Sequence, residues 1–326
     1  MIISYRIEKS KSFVYIIQVT RFLEYNFGMN KLLVTIFTFF IVCNVSFSAE
    51  KFSFFNSDFL NSDIRNIKSV LNAQVRYANK TNMPKFIGTY DKTYKNADGY
   101  DLDTYASLVK DLWQNYDNIK YGVKIKNIHI DGDIAEVELT ESSYANIPVS
   151  KKMSGMLKSE ANSIYYLKKN NGKWKVISDK VIDEETSMLY GSAINTDIKL
   201  TAPEVVEPNY EYTASLEFEV PKDIFAIASI AKDKVEYPQK QAKEVFRKMP
   251  EDNILERLFI SNTDKCNEYI IASIGLTKAN VEDLSIKLSL VGFGYKIIRV
   301  NVKGAGVDVE KWLNIKSAGE SNVKEQ

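Results

Sequence analysis

The chain has 326 residues, with 43 Lys and Arg against 42 Asp and Glu, two cysteines and a single histidine. A formal net charge of +1 gives no basic field for gripping nucleic acid. One histidine, His129, removes paired-histidine metal sites and leaves any Ser-His or Cys-His catalysis to that residue alone.

The first informative stretch is Leu32 to Phe47, sixteen uncharged and mostly apolar residues after Met29-Asn30-Lys31. It is shorter than a membrane span of about 20 residues, and it ends in Ser46-Phe47-Ser48-Ala49, with small residues at the spacing a signal peptidase reads. This predicts a signal peptide over 29–48, with an uncleaved anchor as the alternative. Residues 1–28 are basic and read either as an over-extended start, with translation from Met29, or as a long n-region. Cys43 lies inside the apolar run after Ile41-Val42, which argues against lipidation. Removing residues 1–48 takes away five Lys and Arg and two Asp and Glu, leaving 278 residues with 38 basic and 40 acidic side chains. That length suits two domains. The one remaining thiol, Cys266, cannot form an intramolecular disulfide, so the exported chain must fold by core burial alone.

Ile64, Ile67, Leu71, Val75 and Ala78 recur at helical spacing and predict a helix from Asn61 to Asn82, capped by Asn61 or Ser62. Pro84 restarts a shorter helix with Phe86, Ile87, Tyr90 and Tyr94, and Asn96-Ala97-Asp98-Gly99 breaks it. A third helix follows from about Leu102 to Tyr116, with Asp101 or Asp103 as its cap. The period then changes to two. Val123 to Ile130 and Ala135 to Leu139 form a hairpin about Asp131-Gly132-Asp133, and strands near 163–168 and 173–181 meet at Asn170-Asn171-Gly172.

Three helices, a third helix ending Trp113-Gln114-Asn115-Tyr116 and a meander closing in Gly172-Lys173-Trp174-Lys175-Val176-Ile177 resemble the nuclear transport factor 2-like, or ketosteroid-isomerase-like, superfamily. The resemblance covers about residues 60–193. It implies an α+β cone in which three helices pack on a curved antiparallel sheet, and it is nearly silent on function because enzymes, ligand carriers and dimerisation modules share that fold. From Ile198 to Gly304, short strands punctuated by Pro203, Pro208, Pro221 and Pro238 predict an all-β sandwich that resembles an immunoglobulin-like domain without its cysteine pair. A short helical insertion is expected over Gln239–Met249. Residues 305–326 read as a tail with a short helix near Val309–Ile315.

Few residues suggest chemistry. The acidic loop from Asn96 to Asp103 fails the EF-hand pattern, because Tyr94 and Tyr105 fall where its first and last ligands belong. In enzymes of the resembled superfamily a carboxylate at the cone's mouth moves a proton while a Tyr or a protonated acid holds the oxyanion. Asp98, Tyr77 and Asp179 are the candidates for that alternative. Tyr90, Tyr94, Trp113, Tyr144 and Tyr166, with Tyr165, are candidates to line a ligand opening, although packing demands the same spacing. With no Gly-rich phosphate loop, no Cys-x-x-Cys pair and no His-Glu-x-x-His helix, neither cofactor nor metal is expected.

These readings combine into an exported, non-catalytic binding or scaffolding protein of a bacterial envelope, in the periplasm or secreted. The cone would dimerise or hold a small apolar ligand, and the sandwich would contact an envelope protein. No nucleic acid is expected as a partner, and the membrane only through the signal segment. The alternative is a ketosteroid-isomerase-like enzyme using an Asp/Tyr pair.

Overall fold

The structure is a computed structural model, and it describes residues 3–5, 57–116, 118–150, 153–237, 243–282 and 285–313. The expected signal segment and the end of the tail lie outside the described residues. Strand β1 (Ile3–Tyr5) is followed by helices α1 (Ser57–Ala78), α2 (Met83–Ile87) and α3 (Leu102–Asn115). Four long strands come next: β2 (Lys120–Asp131), β3 (Ile134–Ser150), β4 (Met153–Asn170) and β5 (Lys173–Gly191). Then come β6 (Lys199–Thr201), β7 (Val205–Val206), β8 (Glu211–Glu217), β9 (Ile224–Lys234), β10 (Arg247–Lys248), β11 (Ile254–Ile260), β12 (Glu268–Glu282), β13 (Ser285–Val302) and helix α4 (Val309–Leu313).

Three N-terminal helices form, but the second ends at Ile87. Tyr90 and Tyr94, expected on it, lie in the irregular segment that follows, where Tyr90 bridges to Val176. Asp101 caps α3, its side chain accepting from the Thr104 amide at 2.9 Å, and Asn82 caps α2 through the Lys85 amide. Helix α1 begins earlier than expected, at Ser57, so Asn61 and Ser62 lie inside it. In its second turn Asp63 accepts from Lys169 Nζ and from Trp174 Nε1, each at 2.9 Å, which ties α1 to the β4–β5 hairpin.

A cone followed by a separate sandwich is not what the chain builds. One ten-stranded sheet runs through both halves, in the order β10-β9-β12-β13-β5-β4-β3-β2, with β1 and β7 also paired to β13. The joint is an antiparallel ladder between β5 and β13, from Glu185 opposite Ile298 to Gly191 opposite Gly292. Apart from the short parallel pairing of β7, the strands of this sheet are antiparallel. The sequence suggested two strands near 284–290 and 295–302; they are one strand, eighteen residues long. Its glycines mark a close approach rather than a turn. A Cβ at Gly294 would stand 2.7 Å from the Met188 carbonyl, and one at Gly155 would stand 2.3 Å from the Tyr190 ring. Tyr190 in turn stacks on Phe293 with centroids 4.4 Å apart.

Helical insertion over Gln239–Met249 is likewise overturned for the residues described. Arg247 and Lys248 form a strand against Ile227 and Ala228, and residues 243–246 are irregular. The spacing of Val245, Phe246 and Met249 does not mark one buried face: Met249 is buried while Val245 is 55% exposed.

The two faces of the large sheet are covered differently. On one, α1 to α3 bury Ile67, Leu71, Phe86, Val109 and Leu112 against Val137, Leu139, Leu157 and Val176. Helix α3 also reaches the second half, where Leu108 packs with Tyr269, Ile271 and Ile297. On the other, a three-stranded sheet, β11-β8-β6, buries Ala214, Leu216 and Leu255 against Ala228, Ile270, Ala272 and Val300. Two cations stitch the side of this sandwich between β9 and β11. Arg257 on β11 donates to the Ile230 carbonyl on β9, and Lys232 on β9 donates to the Ile260 carbonyl on β11.

Replacing Gly294 by Val should destabilise the whole chain by roughly 1–3 kcal/mol or more, because the clash is with backbone that cannot rotate away. Chemical denaturation should show one transition at a lower midpoint. Two separated transitions would mean that the halves fold independently of the β5–β13 joint.

Candidate functional site

Antiparallel partners share a face of the sheet, and the helix-covered face carries an unexpected polar band. Reading across it, Glu141 on β3 lies beside Ala161 on β4, Ala161 beside Glu184 on β5, and Tyr165 beside Asp179. Two register shifts between β4 and β5, at Asn162/Ser163 and Tyr166/Leu167, let Asp179, Val181 and Glu184 all point inward despite their odd spacing. All are buried.

Glu141 accepts from Tyr165 Oη at 2.7 Å and from Ser163 Oγ at 2.9 Å. Burial outweighs these bonds and pushes its pKa up to about 8. Above it lies a cluster of tyrosines. Tyr90 meets Tyr94 edge to face with centroids 5.0 Å apart, and both rings lie within 5.4 Å of Tyr105. The Tyr90 hydroxyl donates to that of Tyr105 at 3.1 Å, and Tyr94 donates to Asp179 Oδ1. Burial raises Asp179 to about 7, against the opposing hydrogen bond from Tyr94. Burial also raises the tyrosines well above 10, so they act as neutral donors.

A second cluster sits where the helices meet the second half. Asp98, in the loop between α2 and α3, receives both Arg299 terminal nitrogens, at 2.7 and 3.0 Å, and Asn267 Nδ2 at 2.8 Å. This pair is almost sealed, the Arg299 and Asp98 side chains being 1% and 4% exposed. Beside it Glu184 accepts from Tyr269 Oη at 3.1 Å, and burial raises its pKa to about 7.

The candidate catalytic residues are thus distributed over different surroundings. Asp179 sits in the tyrosine cluster and Asp98 in the neighbouring ion pair. Tyr77 lies on α1 with Arg76 and Lys85 over its ring, at 5.3 and 5.9 Å. Of the candidate ligand-lining residues, Tyr90 and Tyr94 pack together in the core. Trp113 packs against Phe86 and donates to Tyr121 Oη at 2.9 Å. Tyr144 is only half-buried, on β3. Tyr166 is fully buried in a separate cluster with Ala97, Ile177 and Val309, under α4. His129 is exposed on β2 opposite Glu136.

Glu141, Glu184 and Arg299 were not singled out from sequence, although Glu141 continues the inward parity of Ala135, Val137 and Leu139, a signal that could have found it. Among the described residues no group of three or more His, Cys, Asp or Glu is placed to hold a metal, and no helix is long and apolar enough to cross a membrane. The buried Gln74 carboxamide and Ser143 hydroxyl make no hydrogen bond among the described residues, a deficit that an internal water would satisfy.

No protein-family model matches the chain, and no curated protein does. Solved structures that resemble parts of it include Bd1075 of Bdellovibrio bacteriovorus, at 16% identity and a TM-score of 0.32, covering 39% of this chain and 42% of that one. An NTF2-like family protein from Streptomyces avermitilis matches at 11% identity and a TM-score of 0.33, over 37% of this chain and 96% of its own. Kfla4162 from Kribbella flavida matches at 10% and 0.33, over 37% and 90%. Structural neighbours therefore include NTF2-like proteins over little more than a third of the chain, and scores of this size assign it neither family nor activity.

The buried glutamate makes a signed prediction. Its folded pKa is raised, so the native state holds a proton that the unfolded chain loses above about pH 4.3. Its contribution to stability is fully present below that value and is lost as pH rises toward 8. The expected slope in this window is about 1.4 kcal/mol per pH unit from this group. Glu141→Gln should flatten the pH dependence of the denaturation midpoint by that amount; equal slopes in both proteins would show that Glu141 is ionised in the fold.

Proposed function

We propose that the chain is an exported, non-catalytic binding or scaffolding protein of a bacterial envelope, working through its second half. The observation that carries this reading is the outer face of β11. Ile254, Leu258 and Ile260 project from it at 39%, 60% and 53% exposure, beside Glu256 and the β8 residues Glu211 and Glu217. Three large aliphatic side chains on one outer strand are costly to leave wet, and such a row rimmed by acidic groups suits contact with another protein. Export is supported by the uncharged run Leu32–Phe47 and the small residues that follow it.

Two measurements test it. The mature protein recovered from its host should start near Ala49 and lie outside the cytoplasm; an intact leader in cytosolic fractions would sink the export reading. For contact, the bait must be the whole mature chain, since β13 belongs to the β5 ladder. Crosslinking in the host should join it to an envelope protein, and Leu258→Lys with Ile260→Lys should abolish that adduct while changing stability by no more than about 0.5 kcal/mol. Adducts that persist in the double variant would rule out this face.

One observation favours an enzyme instead: Tyr94 donates to Asp179, whose pKa is about 7, a donor and acid suited to proton transfer. It requires a substrate to reach Asp179, which is 8% exposed. Turnover of an enolisable ketone that Asp179→Asn abolishes would replace the scaffolding reading; no turnover by the wild-type protein is expected.

A further inference from the structure

The loop from Asn96 to Asp101 is a place where helical layer, sheet and C-terminal segment meet. Its backbone is held from two sides, Ala97 N donating to the Asp179 carbonyl at 2.8 Å and Val307 N donating to the Ala97 carbonyl at 2.7 Å. Its side chains are held from a third, by Arg299 and Asn267 on Asp98. Three carboxyl groups, Asp98, Asp179 and Glu184, surround this junction, all buried with a single guanidinium. Arg299 gives two bonds to Asp98 and neutralises it. Asp179 and Glu184 receive only tyrosine and threonine hydroxyls, Tyr94 for the first and Tyr269 and Thr186 for the second. Arg299 attracts all three carboxylates but can offset only one charge. Two further negative charges in so dry a place would be under-compensated, so the junction stays closed while both carboxyls keep their protons.

We propose that this junction is a proton-operated latch: with Asp179 and Glu184 protonated, the Asn96–Asp101 loop is clamped over β12 and β13, and loss of both protons releases it. The other charged and titratable groups facing the site act in the same direction or are neutral. Glu141 on β3, Glu236 after β9 and Cys266 before β12 add negative potential when ionised. Tyr100 in the loop and Tyr105 on α3 stay protonated. Both carboxyls change state at about pH 7, within the range an extracytoplasmic compartment experiences. The sign follows from their raised values, since closure binds protons and is therefore favoured by acid.

Hydrogen exchange of the full mature chain, corrected for the intrinsic rate at each pH, tests the latch. Between about pH 6 and pH 8.5, protection of the Ala97 and Val307 amides should fall by about tenfold or more, and at each pH it should lie below that of the β3 and β4 amides, which report global unfolding. In Asp179→Asn with Glu184→Gln, protection of the same two amides should be independent of pH. Flat protection in the wild-type protein overturns the proposal whether or not the variant folds. So does protection of Ala97 and Val307 equal to that of β3 and β4 at every pH, which would be global unfolding, and so does an identical pH profile in wild type and variant.

Discussion

Pairing between β5 and β13 is the constraint on which the rest of the molecule depends. Backbone hydrogen bonding does not depend on which side chains it joins, so once β13 lies beside β5 the strands of both halves must share one twist and one register. Everything on the helix-covered face then falls into rows, and Arg299 lies just past the end of the ladder at Ile298 and Glu185, beside Glu184. The contact between Arg299 and the α2–α3 loop results from that alignment. It also explains why α3 packs on both halves: with one sheet beneath it, the helix crosses no domain boundary.

Burying so much ionisable chemistry is not an economical route to stability. An ion pair removed from water regains little beyond the desolvation it costs, and an apolar substitute of the same shape is often as good. What the polar band supplies is uniqueness. Hydroxyls of Tyr165, Ser163, Tyr94 and Tyr269 each meet one particular carboxyl, so a slip of either strand by one residue would leave several of them unpaired. Asp98 has the same role between layers, because only one seating of the loop brings it against both Arg299 and Asn267.

Local structure was readable wherever a single residue type decides the backbone. Asp101, Asn82, the Asp131-Gly132 turn and the Asn171-Gly172 turn mark element ends through capping bonds or positive φ, and the helices and hairpins fall between them. Sheet pairing was not readable, because alternation says that a strand is half-buried and is silent on its neighbour. The same alternation made Val291-Gly292-Phe293-Gly294 look like a break, when the glycines are there to let Ser192, Ala193 and Met188 come close. The polar core was missed. Glu141 was passed over although it keeps the parity of Ala135, Val137 and Leu139, and Glu184 looks like a solvent-facing charge because a register shift between Val181 and Asp183 changes the inward parity of β5. Asp179 and Asp98 were noticed, but as members of an open mouth rather than of a closed junction.

The cross-bonded side of the small sheet bears on how such a protein behaves at high concentration. A bare outermost strand rich in isoleucine and leucine is a template on which further chains can stack without limit. Here the guanidinium of Arg257 and the ammonium of Lys232 already occupy carbonyls across the opening between the layers. A newcomer sliding in there would have to strip both charges of their partners before gaining its first bond. The strand can therefore keep an oily outer surface without becoming the seed of a fibril.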